Sequence, residues 1–275
     1  MKQANRPSSV SIAFDQSMIS IQKNEVVKKT APSGYTIKLA NTLEEREAAY
    51  RLAYKIYLGK GYIKENSDQW LVKKQDANSE TATLIVQDLD KKVVGTVTML
   101  FDGVDSVPAE NIYAQEIKQL RLHQEKIVEI SRLAIDNDHR KAKEILILLF
   151  NYLYIFSAKV KKYTCLTIEV NPRHKEYYRT LLCFDEIGDI KPCPNVQDAP
   201  AVLMYISLQR SVSEVLNDLN SNPNKKNRSI FPYFLKPELE NLVAYYLEKQ
   251  YKPMSEEEKV YFGFTESGIG KIVKV

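Results

Sequence analysis

The chain of 275 residues contains little glycine and proline, 9 and 11 residues respectively, and this excludes a disordered or low-complexity protein. Its three cysteines, Cys165, Cys183 and Cys193, are too few and odd in number for a disulfide framework. Each lies in or next to an apolar run, which predicts buried, unreactive thiols in a reducing compartment. The three histidines and three cysteines lack the spacing of metal ligands, so we expect no metal site.

Long hydrophobic segments are absent as well. The longest apolar run, Ile145–Ala158, is interrupted by Asn151 and is shorter than the roughly 20 residues that a membrane-spanning helix needs. The N-terminal segment contains no apolar run long enough for a signal peptide. A hydrophobic content of 44% is nevertheless ample for one core. The sequence therefore predicts a soluble, cytoplasmic protein without an integral membrane segment.

The net charge is only +4, but the charge is unevenly distributed. Residues 118–162 contain ten Lys or Arg against five Asp or Glu. This surplus fits either solvated helix ends or the docking of an acidic partner or a phosphate. No stripe of arginines and aromatics and no known reader motif accompanies it, so we expect no nucleic-acid binding.

The order of predicted elements indicates an α/β (α+β) fold with a mixed central sheet and helices on both faces. A strand at residues 35–40 precedes a helix that the capping box Thr42-x-x-Glu45 opens. A hairpin of two strands and a short helix opened by Pro108 follow. A strand, an apolar helix, a second strand, a helix opened by Asn171-Pro172 and a final strand pair complete residues 35–208.

The remaining segments differ from this unit in character. Residues 1–34 are polar and weakly periodic, which predicts an irregular N-terminal arm. Residues 209–275 contain a hinge-like basic loop at 221–228 and an amphipathic pattern from Pro237 to Tyr251. We therefore expect a C-terminal helical extension that packs on the core or on a partner.

The junction from Ala134 to Glu144, between the strand that carries Glu129 and the apolar helix after it, is basic. A helix N-terminus presents unpaired backbone N–H groups and a positive dipole end, and it binds phosphate readily. Arg140, Lys141 and Lys143 would strengthen that property. This junction is a candidate site for a phosphate, such as that of coenzyme A or that of the phosphopantetheine arm of an acidic carrier protein.

Glu129 and Arg132 lie on one apolar strand, where burial of both is costly unless they are paired. Alternation places Glu129 and Ser131 on one face and Arg132 on the other, but a bulge, or the edge of a splayed sheet, would bring both faces into one cleft. A structural ion pair between Glu129 and Arg132 is one interpretation. In the other, Arg132 binds a substrate carboxylate while Glu129 orients or deprotonates an attacking amine.

The sequence resembles the long-chain N-acyl amino acid synthases, relatives of the acyl-homoserine-lactone synthases within the GNAT-like fold. The resemblance covers roughly residues 35–208. The segments that carry it are Arg51 with Tyr54, Gly61-Tyr62, Asp76, Val94-Gly-Thr-Val-Thr, Glu129-Ile-Ser-Arg-Leu-Ala, Val170-Asn-Pro-Arg-His-Lys-Glu-Tyr-Tyr and Ala199-Pro-Ala-Val-Leu-Met.

The resemblance implies transfer of a fatty acyl group from acyl carrier protein to the α-amine of an amino acid, with no tightly bound cofactor. It implies that Arg51 and Asp76 line the substrate site with Glu129 and Arg132, although alone they read as a solvated arginine and a turn residue. Three further roles are expected. Ser131 lines the site, the backbone N–H groups near Leu133 and Ala134 stabilise the oxyanion, and Tyr178 protonates the leaving thiolate.

Two departures from the wider family accompany the resemblance. The acetyl-CoA loop usual in the GNAT superfamily, Arg/Gln-x-x-Gly-x-Gly/Ala, is matched here by Arg140-Lys-Ala-Lys-Glu-Ile, which has no glycine. This favours acyl carrier protein over coenzyme A as the donor, because a close backbone approach to pyrophosphate needs glycine. The segment Leu182-Cys183-Phe184 stands where Leu-Gly-Phe is usual.

Two other function classes remain open at this point. One is an acetyltransferase that uses acetyl-CoA on a small amine or a protein. The other is a non-catalytic module that binds an acyl group or its carrier. No Gly-x-Ser-x-Gly elbow and no Ser-His-Asp set appears, so an enzyme of this kind would use direct attack by the amine, without a covalent intermediate.

Overall fold

A computed structural model of the protein describes residues 34–136, 138–139, 141–210, 212–221, 228–265 and 268–269. The predicted arm at 1–34, apart from Gly34, lies outside the described residues, and so do Arg140 and most of the predicted basic loop at 221–228. The strands are β1 (Thr36–Leu39), β2 (Ala82–Gln87), β3 (Val93–Phe101), β4 (Ile127–Ile135), β5 (Cys165–Val170), β6 (Asp185–Glu186), β7 (Lys191–Cys193), β8 (Ala199–Ser207), β9 (Phe264–Thr265) and β10 (Gly268–Ile269). The helices are α1 (Leu43–Gly59), α2 (Glu110–Leu122), α3 (Ala142–Tyr154), α4 (Lys175–Leu182), α5 (Val212–Asn220), α6 (Pro237–Gln250) and α7 (Glu256–Tyr261).

The helix start signals read from the sequence are present with small changes. The Thr42 hydroxyl accepts from the backbone N–H of Glu45 at 3.3 Å, as the capping box predicts. The Glu45 carboxylate, however, accepts from the N–H of Asn41 at 3.0 Å rather than from that of Thr42. The helix expected from Pro108 begins at Glu110. Asn171 caps a short 3₁₀ turn, Pro172–His174, and α4 follows it directly.

The central sheet has the strand order β1-β2-β3-β4-β5-β8-β6, with β7 also paired to β8. Strands β4 and β5 are parallel, whereas every other neighbouring pair along this order is antiparallel. The pairing of β4 with β5 stops at Ile130 and Ile168, although both strands continue beyond those residues. The two strands therefore separate, and a cleft opens between their carboxyl ends.

Helices cover both faces of this sheet, which confirms the predicted mixed α/β architecture. Residues of β2 and β4 alternate between the two sides, with Leu84 and Ile130 in the cluster that contains α3 and Ile85 and Ala134 in the cluster that contains α1. Helix α2 packs on the α1 side, over β4, β5 and β8. Every residue of β3 is buried, as expected for a strand covered on both sides.

Gly95 permits the close approach of α3 to β3. A Cβ atom at this position would lie 2.4 Å from Cγ2 of Ile145, whose branched side chain has little freedom to move. The glycine of the Val94-Gly-Thr-Val-Thr segment thus has a packing reason. It sets the depth at which α3 lies on the sheet.

The residues after β8 pack against the core. Met254 and Phe262 are buried with Tyr50 of α1 and with Trp70. Helix α6, predicted at Pro237 to Tyr251, contacts the π-helical turn that follows α3. Among the described residues, every helix is too short or too polar to cross a lipid bilayer.

Candidate active site

A β-bulge in β4 shapes the candidate site. Thr96 and Thr98 of β3 pair with Ala134 and Ser131, so β4 carries one extra residue between these two pairs. Arg132 lies in the bulge with φ of +51°, in the left-handed region that a non-glycine residue rarely occupies. The bulge turns Arg132 toward the α1 side, where Glu129 and Ser131 also point. A bulge was one of the two arrangements expected from the sequence, and β4 contains it.

Arg132 forms a buried ion pair with Asp76, not with Glu129. Both terminal nitrogens of the guanidinium donate to the two carboxylate oxygens of Asp76, and the two side chains are 1% and 0% exposed. The guanidinium also lies over the ring of Tyr50, 5.3 Å from its centroid. Arg132 lines the cleft as predicted, but its terminal nitrogens are bound to Asp76 rather than free for a substrate carboxylate. Asp76 itself does not line the cleft, contrary to expectation.

Glu129 is buried, but only one of its oxygens is satisfied by the described residues. Its Oε2 accepts from the backbone N–H of Ala109, at the start of α2, at 2.7 Å. Burial, reinforced by the nearby carboxylate of Glu169, raises the pKa of Glu129 to about 8. A carboxyl group of this kind can exchange a proton with a substrate near neutral pH.

Glu169 is a second carboxyl group of the cleft that the sequence argument did not single out. It lies on β5, where it pairs with Leu203 of β8, and its Oε1 is buried without a hydrogen-bond partner among the described residues. Burial raises its pKa. The signal that could have found it is an isolated acidic residue within the apolar strand segment Thr164-Cys-Leu-Thr-Ile-Glu-Val.

The cleft between the separated strands contains about 930 Å³ of space, including solvent at its open side. Ser131, Leu133 and Tyr178 line it together with Glu129, in agreement with the predicted site. Burial raises the pKa of Tyr178 and holds its phenol protonated. Further lining residues were not predicted, and they include Tyr57, Lys60, Lys73, Glu169, His174 and Cys193.

Several predicted residues lie elsewhere. Arg51 is on the outer side of α1, 43% exposed, where it pairs with Glu47 and lies over Trp70, so the structure does not bring it to the cleft. Ala134 packs against α1 rather than in the cleft. Lys141 and Lys143 are exposed at the start of α3 and do not line the cleft. Arg140 lies outside the described residues.

The sheet and the cleft agree with the expected class of protein, the GNAT-like acyltransferases. The central parallel strands separate and open a cleft, as the resemblance to that fold implies.

The comparisons with known proteins give the family. The sequence model of the N-acyl amino acid synthase FeeM family matches residues 48–207, which is more than half of the chain. The chain therefore belongs to that family, and it is an N-acyltransferase.

Solved structures share the fold. The N-acyl amino acid synthase FeeM from uncultured soil microbes is 24% identical, with a TM-score of 0.57 over 65% of this chain and 93% of that one. The CoA-dependent acyl-homoserine lactone synthase BjaI is 14% identical, with a TM-score of 0.50 over 76% of this chain and 99% of that one. A search of curated proteins finds no match.

Proposed function

We propose that the protein transfers a fatty acyl group from acyl carrier protein to the α-amine of an amino acid. The observation that carries this proposal is the position of Glu129. Its carboxyl group has a raised pKa and lies where β4 and β5 separate, beside the cleft that would hold the thioester. An amine that enters this cleft meets a base matched to it near neutral pH.

The reaction needs an uncharged amine, and Glu129 supplies the base. In the proposed step, the carboxylate of Glu129 removes one proton from the substrate ammonium. The amine nitrogen then attacks the thioester carbonyl, and a C–N bond forms while the C–S bond breaks. The leaving thiolate takes up the second amine proton, so that amide and thiol are formed and one proton is released to solvent through Glu129.

The backbone of β4 beyond Ile130 would bind the thioester. This segment no longer pairs with β5, so it presents an unpaired strand edge toward the cleft. The N–H of Leu133, which lines the cleft, is the proposed oxyanion donor, whereas Ala134 does not reach it. Tyr178 keeps its proton because burial raises its pKa, and it would stabilise the leaving sulfur by donating a hydrogen bond.

An apolar pocket beside β5 is the proposed site for the acyl tail. Val170 and Ile168 line the cleft, and Leu166, two residues further along the same face of β5, lines the pocket. Tyr178 and Leu182, one turn apart on α4, continue the same path. The pocket contains about 390 Å³ of space, including solvent at its open side, and its other walls come from Phe150, Tyr154, Phe184, Ile206, Ser207, Leu208, Arg210, Val215, Phe231 and Phe234.

Acyl carrier protein is the proposed donor, because exposed basic side chains lie at the cleft and at the start of α3. Lys60 lines the cleft and is exposed, and Lys141 and Lys143 are exposed at the start of α3. Acidic carriers would be attracted to these charges. The missing glycine in the run from Arg140 to Ile145 counts against tight binding of coenzyme A pyrophosphate.

The test uses purified protein, acyl carrier protein loaded with single fatty acyl groups, and a mixture of the twenty protein amino acids. We expect mass spectrometry to detect N-acyl amino acids with the wild-type protein and not with Glu129→Gln. Parallel reactions with acyl-CoA and with acetyl-CoA identify the donor. A wild-type protein that forms only N-acetyl products would contradict the proposal, as would one that forms no acyl amide from any donor.

A further inference from the structure

The charged groups of the cleft are unusual because several of them have no protein partner. Arg132, which the sequence argument assigned to a substrate carboxylate, is neutralised by Asp76. The remaining cations that line the cleft are Lys60 and Lys73, and its carboxylates are Glu129 and Glu169. A cleft that lacks an intrinsic partner for such groups is suited to a ligand that carries both charges.

Lys73 is held in position by its backbone and left free at its side chain. Its backbone N–H donates to Oδ2 of Asp76 at 2.7 Å, and Asp76 is in turn fixed by Arg132. The ammonium group makes no hydrogen bond or ion pair with any residue that the structure describes. The buried Arg132–Asp76 pair thus serves to place the turn from which Lys73 lines the cleft.

The two carboxyl groups are also incompletely satisfied. Glu129 has one oxygen without a donor, and neither oxygen of Glu169 has one among the described residues. Both lie on adjacent parallel strands, where Glu129 is level with Thr167 and Glu169 is one same-face step further along. Lys73 is close enough to lower the pKa of each, although it is not within ion-pair distance of either.

We propose that Lys73 binds the α-carboxylate of the acceptor while Glu169 and Glu129 receive its ammonium group. This inference rests on the proposed function and assigns the residues that select its amino acid acceptor. Through Lys73, the cleft discriminates against amines that lack an adjacent carboxylate, such as amino acid amides. Glu169 is a positioning residue, and Lys73 determines specificity.

Lys60 is the alternative cation, and its placement argues for another role. Lys60 is exposed at the C-cap of α1. Partial burial of its ammonium group and the positive charge of Arg173 lower the pKa of Lys60. Lys60 does not perturb the pKa of Glu129 or Glu169, whereas Lys73 does. Lys73 is thus the cation beside the proposed base, and Lys60 provides a matched control.

The test compares Lys73→Met with the wild type on two acceptors. These are the amino acid that the wild type acylates fastest among the twenty and the corresponding amino acid carboxamide. We expect the wild-type kcat/KM for the amino acid to exceed that for the carboxamide about ten- to hundredfold, the range of a charge-assisted hydrogen bond. In Lys73→Met the ratio falls to near one, chiefly through a higher KM for the amino acid, and Lys73→Arg restores part of it.

The control and the contrary outcomes separate this inference from the proposed function. Lys60→Met should keep the wild-type ratio and raise the KM for the acyl carrier. An unchanged ratio in Lys73→Met, or an equal loss on both acceptors, would overturn the assignment of Lys73 while leaving the N-acyltransferase intact. A wild-type protein that acylates no amino acid would contradict the proposed function and the acceptor site with it. Melting temperatures of the variants that match that of the wild type exclude misfolding as the cause of a changed ratio.

Discussion

Two sets of buried charges lie side by side in this protein, and they differ in one respect. The two charges of the Arg132–Asp76 pair neutralise each other, since the carboxylate oxygens bind the terminal guanidinium nitrogens, and only Nε of Arg132 has no partner among the described residues. The set formed by Glu129, Glu169 and Lys73 lines the cleft and is incomplete, because its charges have no such partner. Arg132 of the first set lies in the bulge of β4, and Glu129 of the second lies earlier on the same strand.

The difference separates a structural role from a chemical one. A buried ion pair whose two charges neutralise each other gives a folded protein its geometry and leaves no net charge for a charged ligand. Buried charges without partners are costly, and they persist where a ligand completes them. We therefore assign the framework to Arg132 and Asp76, and the chemistry to the incomplete set.

The largest expected effect comes from Glu129→Gln. We expect kcat to fall about 10²- to 10⁴-fold, because a positioned general base contributes rate factors of that size. The fold should be retained, since glutamine mimics the neutral carboxyl group that burial favours and its amide oxygen can accept from the N–H of Ala109. Steady-state kinetics and urea unfolding measure the two effects. A variant with wild-type kcat would show that Glu129 is not the base.

Asp76→Ala should affect stability most. It leaves the guanidinium of Arg132 buried without its counter-ion, and removal of one partner of such a pair costs about 3–5 kcal/mol in the free energy of unfolding. Urea unfolding at pH 7 measures this loss. Glu176→Ala, which removes the exposed partner of Arg179, is the matched control and should cost less than about 1 kcal/mol. Equal losses in the two variants would contradict the structural role of the buried pair.

The pH dependence of activity tests the coupling of Glu129 with Glu169. Since Glu129 must be ionised to act as a base, kcat/KM should rise with pH through about 8. Glu169→Gln removes a negative neighbour, so the pKa of Glu129 should fall and the rising limb should move to lower pH. A profile of Glu169→Gln that coincides with the wild type, measured with the same acceptor, would show that the two carboxyl groups are independent.

The same pKa shift predicts how stability varies with pH. The folded-state pKa of Glu129 lies above its unfolded value near 4.5, so the folded protein binds the proton more tightly. This contribution to stability is fully present below pH 4.5 and is lost as the pH rises through about 8. Comparison of wild type and Glu129→Gln by urea unfolding across this range isolates it. The difference in the free energy of unfolding between the two should change in favour of the variant as pH rises.

The smallest effect is expected at Cys183, outside both charged sets. This residue caps α4 with φ of +58°, the conformation that glycine adopts most readily. Cys183→Gly should therefore raise the free energy of unfolding by about 1 kcal/mol without changing kcat/KM. Thermal unfolding and kinetics together check both parts. A loss of stability would mean that contacts of the thiol outweigh the backbone strain.

The sequence predicted the framework well, because periodicity and capping are local properties. The mixed sheet, the strand with Glu129 and the helix opened by Asn171 follow from such patterns. The partner of Arg132 could not be read in this way, since Asp76 is 56 residues away and reaches it only through the tertiary fold. Arg51 was placed by resemblance, and its outward position depends on helix phase. Lys73 could not be assigned to the site from its own segment, and Glu169 gave only the signal of one acidic residue in an apolar strand. The tertiary fold places both at the cleft between β4 and β5.

The most direct test of the distinction between the two sets is the double variant Asp76→Asn/Arg132→Met. It removes both charges of the buried pair together, while the amide oxygen introduced at position 76 can still accept from the backbone N–H of Lys73. The quantity to measure is the ratio of kcat/KM for the best amino acid acceptor to that for its carboxamide. The account predicts a folded protein with the wild-type ratio, because Lys73 still binds the carboxylate. A folded variant whose ratio falls to near one would show that Arg132 binds the substrate, and would contradict the assignment.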